Sequence, residues 1–260
     1  MAETFSTGPA ASLLASAWRS GKQLKELPAE IRPRTLSDGY AVQDDLIARL
    51  GEKPVGWKLG LGSPQAMRKA GIERPLAGRI LESHLHRSGE VVQLPNRAPV
   101  TIEFEIALTL ARDILPGDVP IAPEDAFSEA HAAFELVLSR YADRRAVGWP
   151  SFVADNSGFE ASVVGGAVDP GRIGDIIGSV SVSVDGEVRA GGLTGDELTD
   201  PFSSLAGLMA HARERGLILR KGEIVSAGAV ARPFDIDGEA SIVARYLEAE
   251  LRVQIRRPRL

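Results

Sequence analysis

The segment VTIEFEIALTL, residues 100–110, carries an apolar side chain at every second position. A period of two predicts a β-strand with one face in the core. The opposite face then presents Glu103 and Glu105, about 7 Å apart, with no basic residue between them. Such a pair is typical of a strand face in water, which the spacing alone favours, or of a strand face that holds a hard divalent cation.

A third carboxylate bears on this choice. The segment 123–143 reads as a helix that begins at Pro123 and carries Glu135. Ser128, His131, Glu135 and Ser139 form a polar stripe on it at helical spacing, which is typical of a solvated face. The connection to the strand is short, so the helix can also pack against it. Three carboxylates and water would then complete an oxygen-rich shell for Mg²⁺ or Mn²⁺.

Lys58 is the candidate proton carrier. It lies in GWKLGLGS, residues 56–63, between Trp57 and Leu59, where a surface lysine is the usual interpretation. The neighbouring Gly56 and Gly60 permit close approach of the backbone to a ligand. Burial lowers the pKa of a lysine toward the range that is useful in acid–base catalysis.

Two turns offer further polar groups. VADNSG, residues 153–158, presents Asn156 and Ser157 before an apolar strand, and an ordinary turn is the alternative interpretation. KGEIVSAGAV, residues 221–230, ends a strand in small residues, including Ser226. Its backbone can approach a substrate closely, although a simple turn is again the more common case.

Composition excludes several classes of protein. The chain has no cysteine, which excludes disulfides, thiolate zinc sites and a cysteine nucleophile and fits a reducing compartment. A net charge of −5 without a basic run makes nucleic acid an unexpected partner. The N-terminal stretch does not read as a secretory signal, and no apolar run is long enough to span a membrane. We therefore expect a soluble, cytoplasmic protein.

The order of elements predicts an α+β fold with a mixed or antiparallel sheet, because strands and helices do not alternate strictly. We divide the chain into an N-terminal helical segment, 1–53, and a mixed β catalytic core, 54–260, which together can form one continuous domain. Helices are predicted over 9–20, 36–50 with Ser37 as N-cap, and 201–216. Asp185-Gly186 predicts a hairpin, and YLEAELRVQI, residues 246–255, predicts one strand.

Taken in this order, the motifs resemble the 2-keto-4-pentenoate hydratase and 4-oxalocrotonate decarboxylase group of the fumarylacetoacetate hydrolase superfamily, over nearly the whole chain. The matching segments are DGYAVQ at 38–43, VGWKLGLGS at 55–63, IEFEIAL at 102–108, FELVLSRY at 134–141, VADNSG at 153–158 and GEIVSAGA at 222–229.

The resemblance implies a fumarylacetoacetase-like fold and a homo-oligomeric, metal-dependent enzyme of aromatic catabolism that acts on small 2-oxo or 2-hydroxy-dienoic acids. It assigns Mg²⁺ or Mn²⁺ to Glu103, Glu105 and Glu135, and it assigns catalysis at the substrate to Lys58. The residues that we expect to contact the substrate are Leu59, Asn156, Ser157, Ser226 and Arg79.

The chain also departs from the pattern of the hydratases. Leu76 and Ala77 stand where those enzymes carry an Asp-Phe pair, Gly62 replaces a threonine, and Ala227 stands where threonine is common. The leading prediction is a hydratase that adds water to a 2-hydroxy-dienoate. The alternatives are a decarboxylase or C–C hydrolase, with Arg79 as cation for a second carboxylate, and a catalytically inactive, complex-forming relative.

Overall fold

The computed structural model describes residues 5–259. Residues 1–4 of the predicted N-terminal segment and residue 260 of the predicted core lie outside the described residues. The helices predicted over 9–20, 36–50 and 201–216 are confirmed. The described residues form six α-helices: α1 Gly8–Ser20, α2 Leu36–Leu50, α3 Pro64–Ala70, α4 Gly148–Ala154, α5 Ile173–Ser179 and α6 Pro201–Glu214. No helix within residues 5–259 has the length and hydrophobicity needed to cross a bilayer.

Helix α2 has the predicted bounds, but its N-cap differs from the prediction. Its N-cap is Thr35 rather than Ser37, because the Thr35 hydroxyl accepts a hydrogen bond from the Asp38 backbone N–H. The Asp38 carboxylate in turn accepts from the Thr35 backbone N–H, which completes a capping box.

Thirteen strands within residues 5–259 build two sheets. The strands are β1 Pro54–Gly60, β2 Leu76–Leu81, β3 Leu85–Arg87, β4 Val91–Gln93, β5 Val100–Leu110, β6 Phe127–Val137, β7 Phe159–Val168, β8 Ser181–Val184, β9 Glu187–Gly191, β10 Ile224–Ala229, β11 Phe234–Ile236, β12 Ala240–Tyr246 and β13 Ala249–Arg256. The larger sheet has the order β2-β1-β10-β5-β6-β7-β3, with β11 also paired to β5. The smaller sheet has the order β4-β13-β12-β8-β9.

Both sheets are mixed, which confirms the predicted fold class. The pairs β1–β10, β3–β7 and β4–β13 are parallel, and the other pairs are antiparallel. Strand β5 has the bounds predicted from the alternation of VTIEFEIALTL. It lies in the middle of the larger sheet between β10 and β6, so both of its edges are hydrogen-bonded.

The prediction of a helix over 123–143 is wrong. Residues 127–137 form strand β6, which pairs antiparallel with β5. From Ala132 to Val137 every residue of β6 is buried, so the apolar pattern loses its period of two. A strand that is covered on both faces reads as a continuous apolar run and resembles a buried helix in sequence.

The hairpin at Asp185-Gly186 is confirmed, with both residues at positive φ, +50° and +91°. The single strand predicted over 246–255 is wrong in its first part. Tyr246 ends β12, Leu247 turns the chain at a φ of +50°, and β13 begins at Ala249. These two strands pair antiparallel, so the segment is the tip of a second hairpin.

The N-terminal helices pack directly on the β core. The Gln43 side chain of α2 donates hydrogen bonds to the carbonyls of Ala77 in β2 and Val153 in α4. The Tyr40 hydroxyl accepts a hydrogen bond from the Ala77 backbone N–H. Helix α2 thereby supports β2, the neighbour of the strand that carries Lys58. The division at residue 53 remains a prediction.

Candidate metal and substrate site

Three glutamates meet at the centre of the larger sheet. Glu103 on β5 and Glu135 on β6 are direct cross-strand partners, and Glu105 follows Glu103 on the same face of β5. One carboxylate oxygen from each side chain lies within 4.8 Å of one from each of the others. Like charges that face each other across strands destabilise a sheet unless a cation lies between them.

The burial of these carboxylates argues against a solvated strand face. Glu105 and Glu135 are 0% exposed, and Glu103 is half-buried. Oε1 of Glu105 and Oε2 of Glu135 are buried without a hydrogen-bond partner among the described residues. Buried carboxylate oxygens of this kind are suitable ligands for a hard divalent ion, so the donor set fits Mg²⁺ or Mn²⁺.

Lys58 is the cation that reaches this cluster. Its Nζ lies 2.8 Å from Oε1 of Glu135, and its side chain is 2% exposed. Strands β1 and β6 are separated by β10 and β5, a distance of roughly 14 Å in a flat sheet. The short contact therefore requires that the sheet curls, so that its inner face brings the two side chains together.

The electrostatics of the cluster show an excess of negative charge. Burial, and then the charges of Glu135 and Glu103, raise the pKa of Glu105 well above its ordinary value. Burial also raises the pKa of Glu135 to about 7, although the positive charge of Lys58 opposes this. One lysine does not neutralise three carboxylates, and a divalent ion would supply the missing positive charge.

Strand β10 holds Glu105 in place. The Ser226 hydroxyl donates a hydrogen bond of 2.5 Å to Oε2 of Glu105, and the Gly228 backbone N–H donates one of 3.0 Å to the same oxygen. Gly228 has a φ of +100°, which glycine adopts without strain. Because both donors bind Oε2, Oε1 of Glu105 remains available for a ligand.

A cleft of about 280 Å³ opens at Glu103. Its lining comes from the loop after β1, the segment before α6 and the turn after β10. The residues that line it include Gly62, Gln65, Glu103, Glu197, Thr199 and Arg232. Of these, the sequence interpretation selected only Glu103 as a site residue. Glu197, Thr199 and Arg232 belong to no motif, and only the tertiary fold brings them to the cleft beside Glu103.

Asn156 and Ser157 lie near Lys58 and form hydrogen bonds with the backbone of β2. The Asn156 side chain donates to the Arg79 carbonyl and accepts from the Arg79 N–H, and the Ser157 hydroxyl donates to the Ala77 carbonyl. A Cβ at Gly78 would lie 2.6 Å from the Asn156 carbonyl oxygen and 3.1 Å from Cδ of Lys58. The turn at Asn156 and strand β2 therefore pack closely beside the aliphatic part of the Lys58 side chain and restrict its position.

Leu59 is buried, and its carbonyl oxygen lies 3.1 Å from where a Cβ of Gly228 would be. Leu76 and Ala77 are buried as well, at 2% and 1% exposure. Neither can supply the carboxylate that the hydratases carry in this segment.

The structure does not bring Arg79 to the glutamates. Arg79 pairs with Trp57, the residue before Lys58, so its side chain lies on the opposite face of the sheet from Lys58. Its guanidinium stacks on the Trp57 ring at 3.7 Å and donates a hydrogen bond of 2.8 Å to Glu223. The cation that lines the cleft is Arg232, whose nearest anionic partner, Glu197, is 3.8 Å away.

No protein-family model matches the chain. A 2-keto-4-pentenoate hydratase of Burkholderia vietnamiensis is 30% identical over 263 residues, which cover 95% of this chain and 100% of that protein. A 4-oxalocrotonate decarboxylase of a Pseudomonas species is 27% identical over 213 residues, 81% of this chain and 82% of that protein. The solved 4-oxalocrotonate decarboxylase from Pseudomonas putida G7, in complex with calcium and acetate, is 25% identical, covers 97% of both chains and has a TM-score of 0.82. The chain therefore belongs to the 2-keto-4-pentenoate hydratase and 4-oxalocrotonate decarboxylase group.

Proposed function

We propose that this protein is a metal-dependent hydratase that adds water to a 2-hydroxy-dienoate, through its 2-oxo-alkenoate tautomer, in the degradation of aromatic compounds. The observation that carries the proposal is the group of three inward-facing glutamates with a buried lysine beneath a cleft. The hydratase names among the relatives support the same reaction class.

Glu103, Glu105 and Glu135 would hold the ion. The half-buried Glu103 borders the cleft, so a ligand that enters meets this carboxylate first. A bound divalent ion supplies Lewis-acid stabilisation of the negative charge on an enolate oxygen. We propose Mg²⁺ or Mn²⁺, because the site is built from carboxylate oxygens and a hard cation prefers such ligands.

Lys58 moves the proton in this proposal. Its Nζ lies against Glu135 where bulk water has little access, so the proton that it carries stays at the site. Lys58, which is protonated in its ion pair with Glu135, gives a proton to the terminal carbon and takes up the proton of the substrate's 2-hydroxyl group in return, which gives the conjugated 2-oxo acid. Water then adds its oxygen to the far alkene carbon and its proton to the carbon next to the keto group.

Arg232 favours a second candidate, decarboxylation or C–C hydrolysis of a 2-oxo acid that carries another carboxylate. It is 72% exposed at the cleft, and its ion pair with the exposed Glu197 is long, so it is free to bind a substrate anion instead. The decarboxylase names among the relatives support this candidate. The same enolate accepts the electrons of a departing carboxylate, so the glutamates serve either reaction.

Calorimetry of metal binding tests the site. We would titrate Mn²⁺ into metal-free protein with and without oxalate, a mimic of the enolate, for wild type, Glu105→Gln and Glu129→Gln. Glu129 lies on β6 with a 58% exposed side chain and is the matched control. We expect oxalate to strengthen Mn²⁺ binding in wild type and in Glu129→Gln, and we expect binding to collapse in Glu105→Gln. A wild type that binds no Mn²⁺ would overturn the proposal.

Product analysis then separates the candidate reactions. Hydration of a 2-hydroxy-dienoate keeps every carbon and removes the conjugated chromophore, whereas decarboxylation releases CO₂. Lys58→Met should abolish turnover in either case while the protein remains folded. A folded wild type that binds Mn²⁺ and oxalate but converts neither dienoates nor 2-oxo dicarboxylates would favour the inactive, complex-forming relative.

A homo-oligomer in the cytoplasm stays a prediction from the sequence resemblance. Size-exclusion chromatography with light scattering would measure the number of chains in the particle, and cell fractionation would measure the location.

A further inference from the structure

The space above Gly62 is filled by another part of the chain. Gly62 stands where the hydratases that this sequence resembles carry a threonine, so the cleft lacks a hydroxyl group at this position. A Cβ built on Gly62 would lie 2.7 Å from Oγ of Ser204 and 2.8 Å from Cγ2 of Thr199. The segment that begins α6 therefore occupies the volume that a side chain at position 62 would need.

Thr199 lies close to Gly228 as well as to Gly62. Its Cγ2 lies 3.0 Å, and its Oγ1 3.4 Å, from where a Cβ of Gly228 would be. Gly228 donates the backbone hydrogen bond to Glu105. Thr199 thus packs between the loop after β1 and the turn that positions Glu105, and it lines the cleft together with Glu103.

The hydroxyl group of Thr199 is available for a ligand. Its methyl group is the part that packs against both glycines. The side chain is only 3% exposed, and we find no hydrogen bond from its hydroxyl to any residue between 5 and 259. The Thr199 hydroxyl oxygen is not one of the fully buried polar atoms that lack a partner among these residues, and Thr199 lines the cleft, so the hydroxyl is accessible to a molecule there.

We propose that Thr199 is a substrate-binding residue that replaces, from the start of α6, the hydroxyl missing at position 62. Its O–H donates a hydrogen bond to the carboxylate of the bound 2-oxo acid. An uncharged donor is useful here because the neighbouring glutamate side chains are acceptors that repel an anion. This inference rests on the proposed function, since it assumes a 2-oxo acid beside the glutamates.

Two variants separate the hydroxyl from the volume of the side chain. Thr199→Val keeps the shape and removes the O–H, whereas Thr199→Ser keeps the O–H and removes the methyl group. We would titrate pyruvate, the smallest stable 2-oxo acid, into each Mn²⁺-saturated protein by calorimetry and measure thermal unfolding in parallel. A hydrogen bond to a charged group predicts pyruvate binding that is roughly tenfold or more weaker in Thr199→Val.

The expected result is weaker pyruvate binding in Thr199→Val with unchanged Mn²⁺ affinity and unfolding temperature, and binding near the wild-type value in Thr199→Ser. A purely structural role would give the opposite pattern, with normal pyruvate binding in Thr199→Val and a lower unfolding temperature in Thr199→Ser, and would overturn the inference. Wild type that binds Mn²⁺ but not pyruvate would overturn it as well. Failure of wild type to bind Mn²⁺ would instead overturn the proposed function and this inference with it.

Discussion

The raised pKa of Glu135 predicts how the stability of the metal-free protein depends on pH. Glu135 has an ordinary pKa of 4.5, and burial raises its pKa to about 7 in the folded protein. Between these values the folded state binds a proton that the unfolded state has released. Stability from this group is therefore greatest below about pH 4.5 and is lost as the pH rises to about 7.

The size of the effect follows from the difference between the two pKa values. A difference of about 2.5 corresponds to about 3 kcal/mol of unfolding free energy, which the metal-free protein loses as the pH rises across this range. Burial raises the pKa of Glu160 to about 7 as well, so wild type alone cannot assign the slope. Glu135→Gln removes the contribution of Glu135, together with the negative charge by which Glu135 raises the pKa of Glu105, and leaves the contribution of Glu160.

The assay is urea unfolding followed by tryptophan fluorescence in the presence of a chelator, from about pH 4.5 to about pH 8. We expect wild type to lose at least about 3 kcal/mol more than Glu135→Gln over this range, and Glu129→Gln to follow wild type. Saturating Mn²⁺ should remove the difference in slope, because the ion replaces the proton. Parallel curves for wild type and Glu135→Gln without metal would refute the reasoning.

Three further predictions concern the surroundings of the glutamates. Gly228→Ala should reduce Mn²⁺ affinity in calorimetry, because its Cβ would lie only 3.0–3.1 Å from neighbouring atoms. The control, Gly222→Ala, is also at positive φ but has no neighbours there, so it should only lower the unfolding temperature. Equal Mn²⁺ affinities for the two variants would contradict this prediction. Arg79→Met should destabilise the fold by about 1–3 kcal/mol in urea unfolding, because it leaves Oε1 of the buried Glu223 without its partner. It should not change oxalate binding, and weaker oxalate binding would return Arg79 to the site. Arg232→Gln should weaken inhibition by a 2-oxo dicarboxylate more than inhibition by pyruvate, and an equal loss for both acids would argue against a second carboxylate in the substrate.

Local patterns in the sequence predict those elements whose two faces differ. Strand β5 was predicted with its observed bounds because Glu103 and Glu105 interrupt the apolar residues at regular intervals. Strand β6 was misread because Ala132, Ala133 and the residues after them are buried on both faces. Alternation disappears there, and alanine-rich segments favour a helix when no partner strand is considered. The pairing of β6 with β5 decides its structure, and that pairing is not visible in a local pattern.

The three glutamates of the cluster could be predicted from the sequence, but the other residues that line the cleft could not. Glu103, Glu105 and Glu135 lie on neighbouring strands, and the register of one strand pair is enough to bring them together. Thr199 and Arg232 reach the same cleft from segments that are distant in the chain, and only the curled sheet and the packing of α6 place them there.

The absence of threonine at position 62 illustrates what such packing changes. From the sequence alone, the glycine at position 62 indicates that the site has lost a hydroxyl group. In the folded protein, the same glycine makes room for Thr199, whose methyl group packs on the site and whose hydroxyl remains without a partner in residues 5–259. A ligand responds to where a donor lies in space and not to which residue carries it. A departure from a motif therefore indicates lost chemistry only when no neighbouring side chain fills the vacated volume with an equivalent group.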